Sequence, residues 1–95
     1  MEATTRFETT NSEKYLQQLC KHFAHKVDVT LSDTQGECRF SCGSSILTLV
    51  DGALDIRVSA EDEAGLTDTK AVIEDHLLRF AFREAPPPFT WQAVT

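Results

Sequence analysis

A chain of 95 residues, 41% apolar and 25% charged, holds one hydrophobic core and is too well mixed to stay disordered. Fifteen acids against nine bases leave a formal charge of −6, which disfavours the phosphate backbone of a nucleic acid and the surface of an anionic membrane. No apolar run nears the roughly 20 residues that cross a bilayer, and Met1 to Thr10 holds no apolar signal core, so the expected compartment is the cytoplasm. In chain order, Ala3 to Thr9 alternates around Phe7 and predicts a first strand. Thr10-Asn11-Ser12-Glu13 fits a capping box with Thr10 at the cap, opening a helix to about His25. Leu16, Leu19, Cys20, Phe23 and Val27 form its apolar stripe.

Val27 to Leu31 alternates as a second strand, and Ser32 to Gly36 reads as a turn. Cys38, Phe40 and Cys42 alternate with Glu37, Arg39 and Ser41 as a third strand. Ser44 to Val50 and Ala53 to Ala60 follow as strands joined by Asp51-Gly52, a pair suited to a two-residue hairpin because glycine tolerates positive φ. That hairpin pairs Leu49 with Leu54 and Leu47 with Ile56. A second tight turn at Cys42-Gly43 would set Cys38 opposite Leu47 and Phe40 opposite Ser45. One face then collects Cys38, Phe40, Leu47, Leu49, Leu54, Ile56 and Val58; the other collects Glu37, Arg39, Ile46, Thr48, Asp55 and Arg57.

Ser59 is placed to cap a second helix, whose first turn carries Glu61, Asp62 and Glu63 and whose end carries Arg79 and Arg83. Leu66, Thr69, Ile73, Leu77 and Phe80 are its core stripe, and Pro86-Pro87-Pro88 stops it. Phe89, Trp91 and Ala93 alternate as a terminal strand. The expected fold is α+β, a two-layer sandwich of order β-α-β-β-β-β-α plus the C-terminal strand, with both helices on one face of an antiparallel sheet. This order is similar to that of TATA-binding-protein-like folds and carries no implication of DNA binding. Residues 1–95 form a single domain, with a core over 3–84 and a proline-rich exit and terminal strand over 85–95.

The odd count of cysteines predicts free thiols: Cys20 faces the core, and Cys38 and Cys42 stand about 13 Å apart along one strand. The run Lys21-His22-Phe23-Ala24-His25-Lys26 is read first as cationic complement to a helix C-terminus. A metal site drawing on His22 and His25, joined by His76 if the two helices pack side by side, is the sharper alternative, with Fe or Zn as the ion. On the open sheet face the derived register sets Arg39, Ile46 and Arg57 in a row, with Arg6 able to join. A solvated surface is the favoured reading of that row. Recognition of an anionic ligand, or pairing of two copies through this face, is the functional one. Nothing resembling a nucleophile with its base, a Walker loop or a metalloprotease motif supports an enzyme.

Tyr15 to Lys26 (YLQQLCKHFAHK) and His76 to Glu84 (HLLRFAFRE) together resemble the uncharacterised bacterial family catalogued as domain of unknown function 2218. The likeness covers nearly the whole chain and departs from the family's pattern at Ala85-Pro86-Pro87-Pro88. The resemblance implies an accessory module in bacterial iron handling, since relatives occur joined to siderophore-interacting flavin reductases. It carries over Lys21, His22, His25, His76 and Arg79 as candidate positions without assigning their roles.

Overall fold

The computed structural model describes residues 1–94. Strand β1 (Glu2–Glu8) leads into helix α1 (Ser12–Phe23), followed by strands β2 (Asp28–Leu31), β3 (Gln35–Arg39), β4 (Ser44–Val50) and β5 (Ala53–Ser59), helix α2 (Glu63–Phe80), a 3-10 turn over Phe82–Glu84, and strand β6 (Gln92–Val94). The strands form a single antiparallel sheet in the order β2-β3-β4-β5-β1-β6. Both helices cover the face that carries Ala3, Phe7, Cys38, Leu47, Leu54, Ile56 and Val58, as the apolar stripes require. Leu16, Leu19, Leu47, Leu54, Ile56, Ile73 and Leu77 are fully buried there, each worth about 1.5–3 kcal/mol against exposure.

The β4–β5 hairpin has the register expected from Asp51-Gly52: Val50 pairs with Ala53, Leu49 with Leu54 and Leu47 with Ile56. Gly52 takes φ 71°, the left-handed conformation the turn needs. The turn before it differs from expectation. Strand β3 ends at Arg39, and Phe40 to Gly43 forms a four-residue turn closed by the Phe40 N–H donating to the Gly43 carbonyl at 2.8 Å. Cys38 therefore pairs with Ser45, and Gly36 with Leu47. The register moves by two residues, so every side chain keeps its face while its cross-strand partner changes. Cys42 leaves the strand and instead takes a hydrogen bond from the Thr69 hydroxyl at 3.3 Å.

Gly36 lies inside β3 rather than in the preceding turn. A Cβ at this position would stand 2.3 Å from Cys20 Sγ and 3.2 Å from Leu16 Cδ1, so glycine is what lets α1 settle on the sheet.

The helix starts also depart from the sequence reading. Helix α1 has Asn11 at its cap position with no side-chain cap bond, and ends at Phe23, short of His25. The side chains suited to capping are engaged elsewhere: Thr9 and Asn11 both donate to Glu84, 75 and 73 residues away. Tertiary partners outcompete the local cap. Tyr15 joins the buried set of α1, while Val27 is only half-buried. Helix α2 is capped by Asp62, which accepts from the Gly65 N–H at 2.8 Å. Ser59 is the last residue of β5, paired with Ser44 and Glu2, and lies three residues before the cap position. The helix ends at Phe80, itself half-buried, before the prolines begin; the 3-10 turn and Ala85, at φ 47°, redirect the chain first.

Candidate functional site

The open sheet face carries Glu2, Thr4, Arg6, Glu37, Arg39, Ile46, Thr48, Asp55 and Arg57, alternating with the core residues on the same strands. The two-residue shift of β3 breaks the row expected across it. Arg39 stands opposite Ser44 and Asp28, whereas Ile46 lies between Glu37 and Arg57. Each arginine is held by acids. Arg6 meets Asp55 at 2.8 Å, Arg57 meets Glu2 at 3.2 Å, and Arg39 meets Asp28 at 2.8 Å and Glu37 at 3.1 Å. The Arg39 guanidinium lowers the pKa of Asp28 through its hydrogen bond and its charge. Asp55 raises that of Arg6 in the same way.

Beside this face the chain builds a wall. After the 3-10 turn, Ala85 to Thr90 runs along β1 and returns to it as β6, where Gln92, Ala93 and Val94 pair with Thr4, Ala3 and Glu2. Prolines at 86, 87 and 88 offer no N–H for a ladder, and the segment is fastened by side chains instead. Glu74 of α2 accepts the Phe89 N–H at 3.0 Å and the Trp91 indole N–H at 2.8 Å. Thr5 donates to the Thr90 carbonyl at 2.9 Å, and the Phe89 ring packs on Phe7 at 5.4 Å. Between this wall and the open face lies a groove of about 1040 Å³. Arg6, Ile46, Thr48 and Arg57 line its floor, and Pro86, Pro88 and Thr90 its side. Arg39, named with them from the sequence, does not line it.

The root of the wall is Glu84. Its carboxylate accepts from the Thr9 hydroxyl at 2.8 Å, the Asn11 amide at 3.1 Å and the Tyr15 phenol. The Tyr15 bond holds Glu84 below the usual carboxylate range, while burial, and then Glu84 itself, push the Tyr15 phenol up. The fastening roles of Glu74, Glu84 and Trp91 are not legible in the sequence because their partners lie 15 to 75 residues away. The aromatic alternation at Phe89 and Trp91 was the one available signal.

The histidines separate into two groups. His22 on α1 and His76 on α2 meet where the helices pack, with ring centres 5.1 Å apart. His76 Nδ1 lies 2.7 Å from the Val72 carbonyl oxygen, and Phe23 and Phe80 surround the pair. Burial first, and then the charges of His76, Lys26, His25 and Arg79, hold His22 below its ordinary pKa. His25 lies beyond the end of α1 and is exposed, as are Lys21 and Arg79. No group of three or more His, Cys, Asp or Glu side chains converges as a metal cage among the described residues. Cys20, Cys38 and Cys42 are free thiols. Cys20 and Cys38 face each other in the core with sulfurs 4.0 Å apart. The contact with Cys38 and burial push the Cys20 thiol up, which keeps it from acting as a nucleophile.

No helix among the described residues is long and apolar enough to cross a membrane. No curated protein matches the sequence. The chain is similar in structure to PA4090 from Pseudomonas aeruginosa, solved by NMR, with a TM-score of 0.80 and 28% identity over 96% of this chain and 94% of that one. A family model described as an uncharacterised protein conserved in bacteria, DUF2218, matches residues 4–92. On that match, which takes in both helices and all of the sheet but its outermost residues, the chain belongs to the DUF2218 family.

Proposed function

We propose that this domain is a ligand-binding accessory module that receives a small anionic organic ligand in the groove between the open sheet face and the proline wall. The observation that carries the reading is the groove itself, with Arg6 and Arg57 on its floor and a volume of about 1040 Å³, at the upper end of the usual range for organic ligands. Its floor is built on paired strands and its side is tied to α2, which gives a rigid mould. The acids now paired with the arginines are no obstacle. Arg6, Asp55, Arg57 and Glu2 are all more than 40% exposed, and such surface pairs are worth only about 0–1 kcal/mol. An anionic ligand exchanges for them at small cost. The resemblance to modules joined to siderophore-interacting flavin reductases makes a ferric siderophore the ligand class to test first, and such a reductase the partner.

The test is a titration of 15N-labelled protein with the gallium(III) complexes of a catecholate and of a hydroxamate siderophore, gallium standing for iron without its paramagnetism. Amide shifts should cluster at Arg6, Ile46, Arg57 and Phe89 and disappear in an R6A/R57A variant that retains the fold. Absence of shifts at millimolar ligand, or shifts confined to the helices, rules the reading out.

A further inference from the structure

We infer that His22 and His76 are the two protein ligands of a site for one divalent transition-metal ion, at the helix–helix contact and separate from the groove. The distance between the rings carries the inference. An imidazole nitrogen binds zinc at about 2.0–2.1 Å, which sets its ring centre about 3.2 Å from the ion. Two such rings at a tetrahedral angle then have centres about 5.2 Å apart. The rings of His22 and His76 stand at 5.1 Å, with planes inclined by 45°. Two side chains from helices remote in sequence thus already have the spacing that sharing an ion demands.

The second observation is the bond at His76. Its Nδ1 lies 2.7 Å from the carbonyl oxygen of Val72, one turn back on the same helix. An Nδ1–H donated there fixes the tautomer and leaves the Nε2 lone pair free. Ligating histidines are usually held in this way by a carboxylate or carbonyl on the other nitrogen. The orientation of the His76 ring is thus set by the α2 backbone. Phe23, 5.3 Å from His22 and 4.8 Å from His76, and Phe80, 5.8 Å from His22, pack around both rings and restrict their rotamers.

The surroundings define what kind of site this is. No third ligand converges on the pair among the described residues, and the other charges acting on His22 are the cations Lys26, His25 and Arg79. The remaining coordination positions therefore fall to water or to an anion drawn by those cations. Imidazole-only ligation suits Cu(II), Ni(II) and Zn(II), with Cu(II) bound most tightly of the three. His25, exposed and beyond the helix end, takes no part.

The test uses the full chain without an affinity tag. Zinc chloride is titrated while the ring nitrogens of the three histidines are followed by 15N–1H correlation. The nitrogens of His22 and His76 should move together and saturate at one equivalent, with those of His25 unmoved. In calorimetry with zinc and copper chlorides, His22→Gln and His76→Gln should each weaken binding at least about tenfold, the loss that even outer-shell partners cause at metal sites, and His25→Gln should not. Ordinary ring packing predicts no metal-dependent change in His22 and His76. That result in the unaltered protein, or binding that survives both substitutions, overturns the inference.

Discussion

Replacing Glu74 by alanine should release the proline wall while leaving the sandwich folded. The Glu74 carboxylate is the shared acceptor for the Phe89 N–H and the Trp91 indole N–H, at 3.0 and 2.8 Å. Hydrogen bonds to a charged group contribute about 1.5–3 kcal/mol each, but Glu74 is half-exposed and water replaces part of the loss, so about 2–3 kcal/mol for the two together is the working figure. That corresponds to a shift of about 30- to 150-fold in the local docking equilibrium of residues 89–94. What would still hold the segment is the three-pair ladder to β1, the Thr5 bond and the Phe89–Phe7 contact. Trp91 is the single tryptophan of the chain, so its emission reports on the segment alone. Its maximum should move to longer wavelength in Glu74→Ala. Hydrogen exchange at the Phe89 amide and the β1–β6 ladder should accelerate by about the same 30- to 150-fold factor, with the β4–β5 amides unchanged. Unaltered emission together with unaltered exchange would show that these two bonds do not fasten the wall.

Tyr15 is the only tyrosine, so absorbance at 295 nm titrates it directly. Its midpoint should lie above 10.0 and fall in Glu84→Gln, which removes one of the two leading causes of the upward shift. Because the folded phenol holds its proton longer than the unfolded one, the stability tied to it is complete below pH 10 and lost as pH rises further. Glu84 runs the other way: its folded value lies below 4.5, so its contribution is present above that pH and lost as pH falls through the folded value, read from acid unfolding of wild type against Glu84→Gln. Ser45 Oγ is buried with no well-formed hydrogen-bond partner among the described residues and only the weak Cys38 thiol beside it, so Ser45→Ala should be neutral or raise stability by up to about 1 kcal/mol in urea unfolding. Asp62→Ala removes the acceptor for the Gly65 N–H and should cost about 0.5–2 kcal/mol in the same assay.

The two-layer architecture was legible because its signals are periodic and local. Two helical stripes and alternating strands needed one another's cover, and Asp51-Gly52 fixed a register that the structure shares. The β3–β4 connection was misread because Gly43 suggested a two-residue turn where the chain uses four. Sidedness survived that error because the slip was even, but the arginine row did not, since a row depends on cross-strand partners. Both helix caps lie downstream of the expected residues: the cap position of α1 falls on Asn11 rather than Thr10, with the Asn11 side chain drawn to Glu84, and Ser59 remains the last residue of β5, so Asp62 caps α2. The meeting of His22 and His76 was conditional on the helices packing side by side, a geometry that spacing along the chain leaves open. The groove was hidden altogether, because its wall is held by Glu74 and Glu84, whose partners no local pattern reveals.

The contact between Cys20 and Gly36 makes those two positions a single unit of inheritance. With 2.3 Å between the sulfur and the place where a methyl group would sit, position 36 cannot enlarge unless position 20 gives way. A homologue bearing alanine at 36 should carry something smaller than cysteine at 20, turn that sulfur aside, or tilt its first helix away from the sheet. Mutational drift along this seam should therefore favour paired exchanges, with residues 20 and 36 tending to vary together among members of the family.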